Sequence, residues 1–187
     1  MPIQAWTGPW IPTGAADGTA VTAAALTEGT PAAPKAVPWS IFQDGTAVWL
    51  HAQGEITCTS TTPTCAVGFY FGTPGSIGTA TPIAVSGAQA VSATAAAAPW
   101  FLDWYGDVRS LGASGQLYGM GALTWGGNSG TGLTQDMPQV PAPVTAAARL
   151  VTVNMFTAAY LLVGVTLSST TGAPSVTVRH AFGHQSA

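Results

Sequence analysis

Charge is what this sequence of 187 residues has least of: Asp, Glu, Lys and Arg together make up 6% of it, where about a quarter is usual. The four basic residues, Lys35, Arg109, Arg149 and Arg179, are scattered along the chain. Phosphate backbones are held by clustered Lys and Arg, so nucleic acid is not an expected partner. Long apolar runs are missing too. The longest, residues 158–165, has the length of a strand and contains Gly164. A membrane-crossing helix needs about 18 or more apolar residues, so none is expected. The opening Met1-Pro2-Ile3-Gln4 lacks the basic and compact apolar regions of a secretory signal. The chain is therefore expected to be made in a cytoplasm.

What is abundant points to strands. The chain holds 23 Gly and 14 Pro, and 47% of its residues are hydrophobic; the rest leans on Ala, Thr, Ser and Val. Thr and Val favour pleated, half-buried backbone, while Gly and Pro interrupt helices. A surface of Thr, Ser, Ala and Gly can be wetted but repels its neighbours weakly. Soluble surfaces normally carry roughly 25–35% charged residues, so this one suits contact with other protein. A GC-rich coding sequence would account for part of the same bias.

Residues 1–40 read as an extended arm. Gly, Pro, Ala and Thr punctuate them, and no apolar period persists. A short helix over residues 19–26 is the one regular element the pattern allows. Trp6, Trp10, Ile11 and Trp39 stand out in this small-residue segment. Aromatic side chains dominate interface energetics, so these four are candidate docking or interface residues.

From residue 41 the texture becomes β. In residues 47–58, Val48, Leu50 and Ala52 share one face, with Trp49, His51 and Gln53 on the other. Residues 65–71 form a compact aromatic run that ends at the turn signal Gly72-Thr73-Pro74-Gly75, and residues 79–85 and 88–95 are weaker strand candidates. Residues 99–110 alternate clearly: Leu102, Trp104 and Val108 on one face, Asp103, Tyr105, Asp107 and Arg109 on the other. The second face is the wet or interfacial one, which makes Tyr105 and Arg109 interface candidates. Residues 116–125 return from the turn at 112–115. Gly119 and Gly121 there share parity with Leu117, Leu123 and Trp125, leaving room for bulky neighbours or close backbone. Residues 126–143 read as a long loop. Strands are expected over 147–156, 160–167 and 175–182, with Val176, Val178, His180 and Phe182 on one face. Eight or nine short strands without a helix predict an antiparallel β-sandwich, most simply a jelly roll, over residues 41–187.

Little here carries chemistry. Cys58 and Cys65 flank six residues that read as a hairpin connection, with Pro63 in the turn. A cross-strand disulfide and two buried thiols are both open readings. Their spacing is not that of a zinc site, and His51, His180 and His184 add no matching pattern, so no metal or cofactor is expected. Asp103 and Asp107 lie about 13 Å apart along a strand, too far for a retaining glycosidase pair, and Arg109 is placed to pair with Asp107. The serines in Gly112-Ala113-Ser114-Gly115 and Gly127-Asn128-Ser129-Gly130 do not fit a nucleophile elbow. No catalytic residue is identified. Trp100, Trp104, Tyr105 and Tyr118 fit either a sugar-stacking platform or ordinary packing.

A series of landmarks completes the reading. Gly54-Glu55-Ile56-Thr57 is followed by Thr61-Thr62-Pro63-Thr64 and by the glycine-bearing aromatic strand Val67-Gly68-Phe69-Tyr70-Phe71-Gly72. Then come Trp100 and Trp104 with Val108-Arg109-Ser110-Leu111-Gly112-Ala113-Ser114-Gly115. Gly119-Met120-Gly121 precedes Trp125-Gly126, and the closing pair is residues 161–169 and 176–182. In this order, over residues 47–183, the chain resembles small jelly-roll, tumour-necrosis-factor-like virion proteins of bacteriophages, of the capsid-decoration and head-fibre kind. The resemblance implies a homotrimer on the virion surface, bound to the major capsid protein or another virion protein and without catalytic residues. The arm has no counterpart in it and would be the docking part. A tail or baseplate component, or a carbohydrate- or receptor-binding module, is the alternative.

Overall fold

The computed structural model describes residues 3–5, 20–22, 30–31, 35–37, 44–72, 80–127, 137–156, 159–169 and 171–186. They form strands β1 (Ile3–Ala5), β2 (Ala20–Thr22), β3 (Thr30–Pro31), β4 (Lys35–Val37), β5 (Ala47–Thr57), β6 (Thr64–Gly72) and β7 (Thr81–Val85). The series continues with β8 (Gln89–Ala90), β9 (Ala98–Ser110), β10 (Gly115–Trp125), β11 (Gln139–Ala142), β12 (Leu150–Val153), β13 (Ala159–Leu167) and β14 (Ser175–Ser186). Among the described residues the only helical piece is a 3₁₀ turn, Ala147–Arg149. Two antiparallel sheets pack together as an all-β sandwich. The larger has the order β1-β14-β5-β9-β10-β11, with β2 also on β14 and β12 also on β10. The smaller has the order β3-β13-β6-β7, with β4 also on β13 and β8 also on β6.

Alternation builds the core. The inward residues Val48, Leu50, Ala52 and Ile56 of β5 meet Trp100, Leu102, Trp104 and Val108 of β9 and Leu117, Leu123 and Trp125 of β10, all buried. The smaller sheet contributes Cys65, Val67, Phe69, Phe71, Val163, Val165 and Leu167. Its outer side carries a second small cluster, Tyr70 and Leu162 with Ala80 and Val85.

Of the two glycines flagged by parity, Gly119 is where an indole goes, while Gly121 lies against the backbone of Asp103 and Trp104. Gly106 and Gly119 face each other across β9 and β10, and a Cβ at either would overlap the Trp104 ring. Gly112, with φ of 120°, shapes the β9–β10 turn in a region L side chains avoid. Its carbonyl accepts the Gly115 N–H at 3.1 Å.

Several local expectations change. Residues 20–22 are a strand on β14 rather than part of a helix; the β-branched Val21 and Thr22 suit edge pairing better than an isolated helical turn. The other arm segments, β1, β3 and β4, likewise pair with β14 and β13. The loop expected over 126–143 ends in β11, and of the 147–156 stretch only Leu150–Val153 extends, as β12. A register shift between Val178 and His180 is a bulge. It turns His180 to the face opposite Val176 and Val178, against the simple alternation.

Two variants check this packing by urea denaturation. Trp104→Ala should lose about 3–5 kcal/mol. Gly119→Val, which adds carbon where the indole already lies, should lose about 1–3 kcal/mol. A Gly119→Val protein as stable as the parent would contradict the placement of Trp104.

Candidate functional site

The outward residues of β14, β5, β9 and β10 collect on one face of the larger sheet, because the aromatic core fixes which parity points in. Trp49 and Tyr105 are register partners, and their rings stack with centroids 5.6 Å apart and planes 6° from parallel. Tyr105 pairs in turn with Met120 on β10. Both are half-exposed, at 55% and 50%.

Most polar and charged groups of this face already have partners within the chain. Asp103 Oδ1 lies 2.7 Å from His51 Nδ1; since a carboxylate only accepts, the Nδ1 carries the hydrogen. Gln53 Oε1 lies 3.5 Å from His51 Nε2. Arg179 donates to Glu55 at 3.0 Å; alternation from Val178 already places it outward, and the bulge leaves His180 outward beside it. Arg109 meets Asp107 at 2.6 Å, and its guanidinium sits 5.2 Å from the centre of the Tyr118 ring.

Beside Tyr105 an open cleft of about 360 Å³ runs between β9, β10 and the segment from β11 to the 3₁₀ turn. Asp103, Met120, Thr124, Gln139, Pro141 and Arg149 line it. The Arg149 Nε is buried without a hydrogen-bond partner.

The sequence-derived candidates divide clearly. Tyr105 and Arg109 are on this face and exposed. Trp6, Trp10, Ile11 and Trp39 lie outside the described residues. Trp100 and Trp104 are fully buried, which removes them from any sugar platform; Tyr105 alone of the four combines exposure with a second stacked ring. Asp103 and Asp107 hold different partners, His51 and Arg109, and do not converge as an acid–base pair. Cys58 and Cys65 are free, buried thiols. Cys58 donates to the Thr61 carbonyl at 3.2 Å, and burial pushes the Cys65 thiol well above its ordinary pKa. Among the described residues no three His, Cys, Asp or Glu side chains are placed to hold a metal, and no helix is long and apolar enough to cross a membrane.

The pairs His51–Asp103 and Trp49–Tyr105, and the Arg149 cleft, went unseen in the sequence. His51 and Asp103 could each be assigned an outward position, but their meeting depends on β5 lying beside β9, 52 residues away. The chain matches no protein-family model, no curated protein and no solved structure.

Two measurements test this geometry. His180 has its pKa lowered, first by burial and then by the charge of His51. The unfolded chain therefore takes up this proton first on acidification. Stability from neutral His180 is full above about pH 6.5 and is lost as pH falls below that value toward the lowered folded pKa. His180→Gln should lose less melting temperature than the parent between about pH 7 and pH 5; parallel curves would contradict it. Alkylation of Cys65 should be slow in the native protein and fast in denaturant. Equal rates would show that the thiol is not enclosed.

Proposed function

We propose that this chain is a non-enzymatic structural protein of a virion, a capsid-decoration protein that assembles as a homotrimer through the outer face of its larger sheet. One observation carries this reading: that face combines half-exposed Tyr105 and Met120 with polar and charged groups most of which already have partners within the chain. Covering an unpaired charge is costly, whereas paired and hydrogen-bonded charges can be enclosed. Tyr, Met and Arg are also the residues enriched at protein interfaces. The low charge of the whole chain fits a protein that works against others.

The strand order supports a jelly roll. The chain crosses between the sheets at β2–β3, β4–β5, β5–β6, β8–β9, β12–β13 and β13–β14, so that β14 lies between β1 or β2 and β5 in one sheet, and β13 between β3 or β4 and β6 in the other. Docking on the shell is supported by Phe156, 75% exposed, and Leu111, 45% exposed. A Cβ at Gly112, next to Leu111, would lie 3.9 Å from the Phe156 ring, so the two residues share one end of the sandwich. Localisation on the capsid surface, after synthesis in a host cytoplasm, follows from this reading.

The Tyr105 cleft favours a second reading, a carbohydrate- or receptor-binding module. A half-exposed ring beside Asp103, Thr124 and Gln139 offers stacking and hydrogen bonds to a sugar. A monomeric protein whose glycan binding is lost on Tyr105→Ala would establish that alternative.

Sedimentation of the full chain should give a trimer. The double variant Tyr105→Arg/Met120→Glu should associate at least about tenfold more weakly at a nearly unchanged melting temperature. A strictly monomeric parent with no affinity for particles would overturn the proposal.

A further inference from the structure

The charges of the described side chains nearly all cancel within the chain, and the remainder is informative. Of the arginines, Arg109 is held by Asp107 and Arg179 by Glu55. Arg149 has no ion pair among the described residues, and its Nε is buried without a hydrogen-bond partner. Of the acids, Glu55, Asp103 and Asp107 each hold a partner, while the exposed Asp44 has none among the described residues.

The two unmatched charges lie on opposite flanks of the β9–β10 pair. Asp44 belongs to the turn that enters β5, tied to β9 where the Gly45 N–H donates to the Val108 carbonyl at 2.8 Å. Arg149 closes the 3₁₀ turn before β12, whose Leu150 pairs with Tyr118 on β10. A cyclic trimer is built from heterologous contacts, in which one flank of a copy meets a different flank of the next. Opposite charges on opposite flanks meet that requirement.

We propose that Arg149 anchors the contact between two copies of this chain by receiving the Asp44 carboxylate of the neighbouring copy in the cleft beside Tyr105. This rests on the self-association reading above. A guanidinium presents a planar fork that a carboxylate can engage with both oxygens, here through the terminal nitrogens that face the cleft. Tyr105, Met120 and Leu150, each about half-exposed, surround Arg149 as a rim that closes over the pair and excludes water. Asp103 lines the same cleft, but its carboxylate already accepts a hydrogen bond from His51.

The test is sedimentation of the full chain as the parent, as Arg149→Gln, as Asp44→Asn and as the charge-exchanged double variant Arg149→Asp/Asp44→Arg. Each single variant should raise the dissociation constant about tenfold or more. The exchanged pair should recover most of that loss, because the two groups act as one coupled unit. Arg149→Lys, which keeps the charge but not the fork, should fall between parent and Arg149→Gln and guards against a folding defect. If the parent assembles while Arg149→Gln or Asp44→Asn assembles equally well, the anchor is wrong and the self-association reading stands. If the parent is monomeric, that reading fails and the anchor with it.

Discussion

The indoles of Trp100, Trp104 and Trp125 are buried between the two sheets, and each lies against backbone that has no Cβ to spare. Trp100 packs over Gly54, Trp104 over Gly106 and Gly119, and Trp125 over Gly127. Interiors are packed to crystal-like density, so these fits tie β5, β9 and β10 to one register. A slip by one residue would turn every side chain to the opposite face. The outer face inherits its composition from this constraint: with the tryptophans inward, His51, Asp103, Tyr105 and Met120 must point outward.

That face explains what low charge means in three dimensions. Among the described residues, several of the chain's few ionic groups meet a partner along the outer side of the larger sheet, as His51–Asp103, Asp107–Arg109 and Glu55–Arg179. As exposed surface pairs they add little stability. Their value lies in leaving a surface that another protein can cover without stranding a charge. Among the described side chains Asp44 and Arg149 are the exceptions, and the proposed contact between copies would join them.

The sequence made the sheets legible wherever alternation was strong. Residues 99–110 and 116–125 became β9 and β10 almost unchanged, and their inward and outward residues were assigned correctly. Parity also picked out Gly119 as a place for a bulky neighbour. Parity failed at Val178–His180, because a bulge inserts one residue that no periodicity announces. The arm strands were missed because two- and three-residue segments carry no period; the edges of β13 and β14 decide their conformation. The candidate face was half legible. Tyr105 and Arg109 followed from local alternation, but the stacking on Trp49, the bond to His51 and the cleft at Arg149 depend on which strands become neighbours. Pairing across 52 residues leaves no mark on local spacing.

The most direct test of the central claim is oxidative footprinting of Met120 and Tyr105 across a dilution series of the intact protein, with Phe156 as the exposed reference. If copies meet through the outer face of the larger sheet, Met120 and Tyr105 become protected as concentration rises while Phe156 stays reactive. Unprotected Met120 and Tyr105 in an assembled protein would contradict the account and move the contact to another face.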